Sequence, residues 1–311
     1  MPCYKPLVAW YSKEFNPSGK RGIVFNPGRA EQPDDPIDLP CGQCIGCRLE
    51  RSRQWAVRCI HEAQLHDENC FITLTFSPEH LEKRKQPDSL DKSEFQRFMK
   101  RLRKHFGQQK IRFFHCGEYG EKYGRPHYHA ILFGLDFADK QLHRVLNGHR
   151  LYTSRTLEKI WPYGYSSIGN VTFESAAYVA RYILKKVTGD AADTHYANID
   201  SQTGEIINYK TPEYTTMSRR PGIAAGWFDK YADDVYPSDF VTVRGKKVRP
   251  PKFYDRLMET TRPYEMEDIK NARTEAAKQH AENNTLERLR TREKVQYIKL
   301  KSLPRNLDKE S

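Results

Sequence analysis

The apolar residues of this chain change period several times along its length, and each change marks an element. Leu49, Ala56, Ile60 and Ala63 share one helical face, which predicts a helix from near Ile45 to about His66. FITLTF at 71–76 is β-branched and aromatic and reads as a strand. Asp91 with Glu94 has the form of a capping box, and Phe95, Phe98, Met99, Leu102 and Phe106 follow at helical spacing. Two apolar runs, IRFFHCGE at 111–118 and HYHAILFG at 127–134, flank the loop YGEKYGRP and predict a β-hairpin. A short helix at 155–161 and a strand around 165–173 come next. Ser175 then reads as the N-cap of a helix AAYVARYILKKV that stops before Gly189. Strands interleaved with helices, with at least one hairpin, indicate an α+β fold on a mainly antiparallel sheet.

The remaining segments carry less pattern. Residues 11–40 are rich in Pro, Gly and Asp and read as an irregular arm; 190–215 read as a polar loop or small insertion. Residues 219–252 combine turn chemistry with basic residues, and the charged, glycine-free stretch after Tyr264 reads as a long exposed helix. No internal repeat stands out. The expected organisation is an N-terminal arm with a cysteine cluster and first helix (1–66) and a core (67–190). A basic, loop-rich extension (191–263) and a charged helical tail (264–311) follow.

Charge narrows the choice of partner. Lys and Arg number 52 against 40 Asp and Glu, a net charge of +12 over 311 residues. Each phosphate that such a surface neutralises releases counterions, which favours nucleic acid. Arg97, Arg101 and Lys104 on the outer face of the helix after Asp91, Arg219 and Arg220, and Lys246 and Lys247 in the later basic run are candidate DNA contacts. The alternative for all of them is a solvated surface. No apolar run is long enough to cross a membrane, and MPCYKPLVAWYSKEF lacks the form of a signal peptide. The expected compartment is therefore a reducing cytoplasm, where seven cysteines serve as core residues or metal ligands rather than disulfides.

Two groups of residues carry chemistry. His127 and His129 are two apart on a predicted strand, so both imidazoles point to one face. Glu118 ends the partner strand of the hairpin, and if the hairpin pairs in that register its carboxylate lies beside the two histidines and can be a third ligand, whereas His115, three residues earlier, should face the other way. Two imidazoles and one carboxylate with positions left open suit Mg²⁺ or Mn²⁺. Tyr178 and Tyr182 are four apart on a predicted helix and share a face with Lys185. A phenol can attack a DNA phosphorus, displace the 3′-hydroxyl and keep a 5′-phosphotyrosine; Lys185 would stabilise charge or ease loss of the phenol proton. Taken singly, a His-x-His strand and two tyrosines at i,i+4 are also ordinary packing. Their combination in a basic chain argues for a nuclease.

RPHYHAILFG resembles the His-hydrophobe-His motif of the HUH rolling-circle replication initiators, with Tyr128 in the hydrophobe slot. YVARYILKK is similar to the Tyr-x-x-x-Tyr-x-x-Lys motif of their two-tyrosine branch, and FITLTF takes the place of their upstream strand motif. PCGQCIGCRLERSRQWAVRCIHEA and SRRPGIAAGW further resemble replication initiators of the microviruses, in the gokushovirus branch. The resemblance covers most of residues 1–255. It implies a palm with a five-stranded antiparallel sheet, dependence on Mg²⁺ or Mn²⁺, and nicking of single-stranded or supercoiled phage DNA at the origin in the cytoplasm of the bacterial host. It implies His127 and His129 as metal ligands, Glu118 as the third, and Tyr178 and Tyr182 as nucleophiles. The Walker pattern G-x-x-x-x-G-K-[ST] is absent, so a separate host helicase and host replication proteins are expected partners.

Cys41, Cys44 and Cys47 have the two-residue gaps of a zinc-thiolate site, which needs a fourth ligand. Cys3 is one choice, with Cys59 or His61 as substitutes; small buried residues at a helix start are the alternative. Rival functions are a non-catalytic DNA-binding protein, a metal-dependent hydrolase or cupin-like oxygenase using the histidine pair, and a plasmid or transposon initiator of the same superfamily. A covalent protein–oligonucleotide adduct separates the tyrosine nuclease from the readings without one.

Overall fold

The computed structural model describes residues 3–17, 19–120, 123–146, 148–181, 186–200 and 202–302. The described residues of Met1–Arg51 and Asn271–Leu303 make one compact unit, and those of Ser52–Lys270 another. The chain begins with β1 (Leu7–Phe15), β2 (Arg21–Val24), β3 (Ile37–Leu39) and α1 (Ile45–Ala63). It continues through β4 (Asn69–Leu74), α2 (Pro78–Glu82), α3 (Lys92–Phe106), β5 (Arg112–Tyr119), β6 (Pro126–Phe133), β7 (Gln141–Leu146) and β8 (His149–Thr153). Next come α4 (Arg155–Ile160), β9 (Ser166–Gly169), α5 (Phe173–Arg181), α6 (Ala191–Tyr196), β10 (Ala197–Ile199), β11 (Ile206–Tyr209) and β12 (Tyr214–Met217). The last are α7 (Ala225–Val235), β13 (Val241–Val243), β14 (Lys246–Val248), α8 (Lys252–Thr261), α9 (Pro263–Lys278) and α10 (Leu286–Ser302). Among the described residues no helix is long and apolar enough to cross a membrane.

In the first unit β1 pairs antiparallel with β2 and β3. The second unit is built on a seven-stranded sheet, β12-β5-β6-β4-β9-β8-β7, whose pairings are all antiparallel. The fold is α+β, as the pattern of elements predicts. The strand number is seven where the resemblance implies five, because the edge strands β12 and β7 extend the sheet.

Alternation divides this sheet into two faces. Phe71, Phe114, Cys116, Ile131 and Phe133 point to one side and form a core with Ala56, Val57 and Cys59 of α1, Tyr178 and Val179 of α5, and Trp227 and Tyr254. Ile72, Leu74, Tyr128, Ala130 and Leu132 point to the other and pack on Phe95, Phe98, Met99 and Leu102 of α3 and Leu157 of α4. Both faces are covered, so the central strands are buried at successive positions rather than at every second one, with Arg112, His115, Glu118 and His129 as buried polar exceptions.

Several expectations change on the structure. Residues 11–40 are not wholly irregular, since β1–β3 lie there; their mostly exposed side chains leave no apolar alternation to read. Residues 190–215 hold α6 and the β10–β11 hairpin, and β12 begins at Tyr214. The helix of Tyr178 begins at Phe173, so Ser175 is not its N-cap. Thr172 and Ser175 instead exchange bonds: the Ser175 amide donates to Thr172 Oγ1 (3.2 Å) and the Thr172 amide to Ser175 Oγ (2.8 Å). That reciprocal pair is a capping box set three residues earlier than the sequence suggests. Asp91 caps α3 through the Ser93 amide at 2.8 Å, as expected.

Candidate metal and tyrosine site

The hairpin register makes Glu118 and His127 direct cross-strand partners, and it pairs His129 with Cys116 on one side and Thr73 on the other. Residues i and i+2 of a strand share a face, so both histidines and Glu118 project together. Glu118 Oε1 lies 2.7 Å from His127 Nε2 and 2.8 Å from His129 Nε2. The three donor atoms fall within 4.8 Å of one another. Glu118 and His129 are buried, while His127 is half-buried and gives the group its opening. His115 faces the opposite side, stacked on Phe95 with ring centres 3.5 Å apart. Burial, with the nearby charge of His129 when protonated, holds its pKa well below the usual histidine range.

The far nitrogens of the two imidazoles are also engaged. His127 Nδ1 lies 3.1 Å from the Arg125 carbonyl, which can only accept, so Nδ1 carries a proton; a bound cation would take Nε2 in place of its present contact with the Glu118 carboxylate. The same carbonyl accepts the Gly120 amide at 2.9 Å. His129 Nδ1 lies 2.9 Å from Thr73 Oγ1. Bonds of this kind set the orientation of a metal-binding imidazole. Burial alone would raise the Glu118 carboxyl, but hydrogen bonds from His127 and His129 outweigh it and hold the pKa down to about 2. The group is thus a carboxylate over the physiological range. Two imidazole nitrogens and one carboxylate oxygen on rigid strands, with one open side, fit a hard or borderline divalent cation.

Tyr178 comes to this group from α5, which packs on β5 and β6. Its ring makes T-shaped contacts with His129, centres 5.2 Å apart, and with Phe71 at 6.3 Å. Tyr182 and Lys185 lie outside the described residues. Arg244 forms an ion pair with Glu174 in the first turn of the same helix.

The candidate DNA contacts are spread out. Arg97, Arg101 and Lys104 sit on α3, whose apolar side covers the face of the sheet opposite the histidine pair. Arg101 is engaged there, donating to the Ile160 carbonyl (2.8 Å) and the Tyr163 hydroxyl (3.1 Å). Arg219 and Arg220 are exposed after β12, and Lys246 and Lys247 are exposed on β14. The structure therefore does not gather the three groups on one surface with the metal site. Sequence reasoning missed Thr73, although a hydroxyl at an inner position of FITLTF was a readable signal.

The cysteines form a second group. Cys3, Cys41, Cys44 and Cys47 offer sulfurs within 4.8 Å of one another in the first unit. The substitutes are elsewhere: Cys59 is buried in the core of the second unit, and His61 Nδ1 pairs with the Tyr254 hydroxyl at 2.7 Å.

The family described as Replication-associated protein ORF2/G2P matches residues 69–187, a span that includes Glu118, His127, His129 and Tyr178. The chain is 30% identical over 273 residues to Replication-associated protein VP4 of Bdellovibrio phage phiMH2K, covering 85% of this chain and 79% of that protein. It is 34% identical over 238 residues to Replication-associated protein ORF2 of Spiroplasma virus 4, covering 71% and 68%. It is 40% identical over 157 residues to Replication-associated protein ORF4 of Chlamydia phage 1, covering 48% and 38%. No solved structure matches. The length and identity of these matches, two of which span most of both sequences, establish that the chain belongs to the family of microvirus replication-associated proteins.

Proposed function

We propose that this chain starts phage DNA replication by cutting single-stranded DNA at the viral origin with a tyrosine, and later rejoins the ends to release circles. The observation that carries the reading is the Tyr178 ring standing against His129, one of three grouped metal-ligand side chains. The names of the relatives and the net charge of +12 agree with a DNA partner.

In this reading Glu118, His127 and His129 hold Mg²⁺ or Mn²⁺. The bound cation would draw charge from the scissile phosphate. The Arg125 carbonyl and Thr73 hydroxyl keep the two imidazoles aimed at it. Tyr178 supplies a phenol oxygen that bonds to phosphorus as the P–O3′ bond breaks. In net terms the phenol proton passes to the leaving 3′ oxygen, and the 5′-phosphate stays esterified to the tyrosine. The ester keeps the energy of the broken bond, so a 3′-hydroxyl can later reverse the step and reseal a strand. Tyr182 and Lys185 are proposed as the second nucleophile and a charge-stabilising partner. The host supplies a helicase.

The test is incubation with single-stranded origin DNA labelled at its 3′ end, in Mn²⁺ or Mg²⁺, followed by denaturing electrophoresis and mass mapping. The expected product is a labelled peptide containing Tyr178 or Tyr182. Cleavage without any DNA-linked peptide, or linkage at another residue, overturns the mechanism. Binding without cleavage under all metal conditions would favour a non-catalytic DNA-binding protein.

A further inference from the structure

The first unit has strands but little core. Among the described residues, both hydrophobic clusters are made of residues from the second unit. In β1–β3 and their connections Leu7, Val8, Tyr11, Phe15, Ile23 and Phe25 are exposed. A small unit with so little buried apolar surface needs another source of order, and metal ions and disulfides are the usual ones. Cys3 and Cys44 are buried, and Cys41 is half-buried. We propose that Cys3, Cys41, Cys44 and Cys47 bind one zinc ion as a closed tetrathiolate, which fastens the start of the chain to the opening of α1.

The geometry of the sulfurs carries this. Cys3 Sγ is 3.7 Å from Cys41 Sγ and 3.9 Å from Cys44 Sγ. Zinc–sulfur bonds of about 2.3 Å at tetrahedral angles separate neighbouring sulfurs by about 3.8 Å, so these are the spacings of thiolates around one ion. A disulfide would draw Cys3 to one partner, whereas it stands nearly equidistant from two. An iron–sulfur cubane puts each thiolate on a different iron and needs a wider spread. Soft thiolates in a tetrahedral set select zinc among the common divalent ions.

Backbone amides complete the surroundings. The Tyr4 amide donates to Cys44 Sγ, the Cys41 amide to Cys3 Sγ and the Cys44 amide to Cys41 Sγ, each at 3.3 Å. Donors aimed at sulfur favour the thiolate over the thiol. Four protein ligands leave no position for substrate, so the role is structural. Binding joins Zn²⁺ to four sulfurs and releases their protons. The bound ion ties Cys3 to residues about 40 positions later in the sequence and does for the first unit what a core does for the second.

The site is tested on the full chain, with His127→Ala/His129→Ala as the background so that the other metal group is silent. Protein purified in reducing buffer without chelator should hold one zinc per chain, released by a thiol-specific mercurial. Replacing zinc by Co²⁺ should give the intense near-ultraviolet thiolate-to-cobalt absorption of a tetrahedral sulfur site. Cys3→Ser in the same background should weaken zinc binding by about tenfold or more in competition with a chelator. Protein that retains no zinc and gives no thiolate–cobalt absorption overturns the proposal. So does a Cys3→Ser chain that holds zinc as tightly as its parent. If that variant fails to fold, the cobalt spectrum of the unsubstituted cysteine set decides.

Discussion

The ring of Tyr178 stands at 86° to the imidazole of His129, a candidate metal ligand, with ring centres 5.2 Å apart. The two rings are therefore crossed rather than stacked, and the Tyr178 side chain is carried to the candidate site by α5. Replacing both Tyr178 and Tyr182 by Phe should abolish any DNA-linked protein in the labelled-oligonucleotide assay, while either single variant keeps some first-round cleavage. Single variants should fail at repeated rounds, giving few closed circles. A covalent adduct in the double variant places the nucleophile elsewhere.

Removing the ligands should separate cutting from binding. His127→Ala and His129→Ala should each lower cleavage by on the order of 100-fold or more, because the cation would no longer be held against the phosphate. Affinity for single-stranded DNA, supplied mainly by Lys and Arg, should change only a few-fold at fixed salt. Cleavage by the double variant at the wild-type rate in excess chelator would remove the metal from the mechanism.

Thr73 is an inexpensive probe of how the site is oriented. Thr73→Val keeps the shape of the side chain and deletes the hydroxyl that meets His129 Nδ1 at 2.9 Å. Affinity for Mn²⁺ measured by calorimetry should fall by roughly 10–100-fold, the usual effect of losing such a partner. An unchanged affinity would mean that the strand alone orients His129.

Tyr128 lies between the two histidines in sequence but on the opposite face. Its hydroxyl bonds the Asp91 carbonyl (2.9 Å) and the Glu94 carboxylate, pinning the start of α3 to β6. Tyr128→Phe should destabilise the fold by about 1–3 kcal/mol, since buried partners are left unsatisfied. Thermal denaturation would show this. The affinity of the folded variant for Mn²⁺ should match the wild type, and a large loss would show that the two faces are coupled.

Stability should also depend on pH through His61. Burial lowers its pKa from 6.5 to about 4, and its ring is stacked on Trp227 with centres 3.6 Å apart. Between these values the unfolded chain binds a proton that the folded chain does not. Stability from this group is therefore present above pH 6.5 and falls as the pH drops toward 4, by on the order of 3 kcal/mol. Urea denaturation of wild type and His61→Gln at several pH values in that window measures the difference. Equal slopes for the two proteins would rule His61 out as the cause.

The parts of the fold that were legible share a cause. The hairpin, α3 and the helix of Tyr178 bury one side, so Phe95, Phe98 and Ile131 impose a period on the sequence. The alternation of β6 was enough to put His127 and His129 on one face, and that of β5 to turn His115 away from Glu118. The elements that went unread lack such a period. The mostly exposed β1 shows no apolar alternation, and β12 is four half-buried residues at a sheet edge. Helix α7 has no capping side chain, because the residue before it is Ala224, which takes a left-handed conformation at φ 63°, and its turn at Tyr231 is not helical. The site was legible as a set of residue types at matching offsets. Of its supports, the Thr73 hydroxyl left a trace in FITLTF, whereas the Arg125 carbonyl acts through the backbone and leaves none.

The Arg125 carbonyl accepts both the Gly120 amide that closes the β5–β6 loop and the Nδ1 proton of His127. Surface loops ordinarily absorb insertions and sequence drift, and they are the usual places to graft an epitope or a fluorophore. This one does not have that freedom. A change in loop length that shifts the carbonyl would release the proton position of His127 and rotate its imidazole without altering any ligand. Variation at this tip among related phages should therefore be conservative in backbone path even where the side chains differ. On the proposed mechanism, an insertion that displaces Arg125 should lower the affinity for Mn²⁺ with Glu118, His127 and His129 all in place.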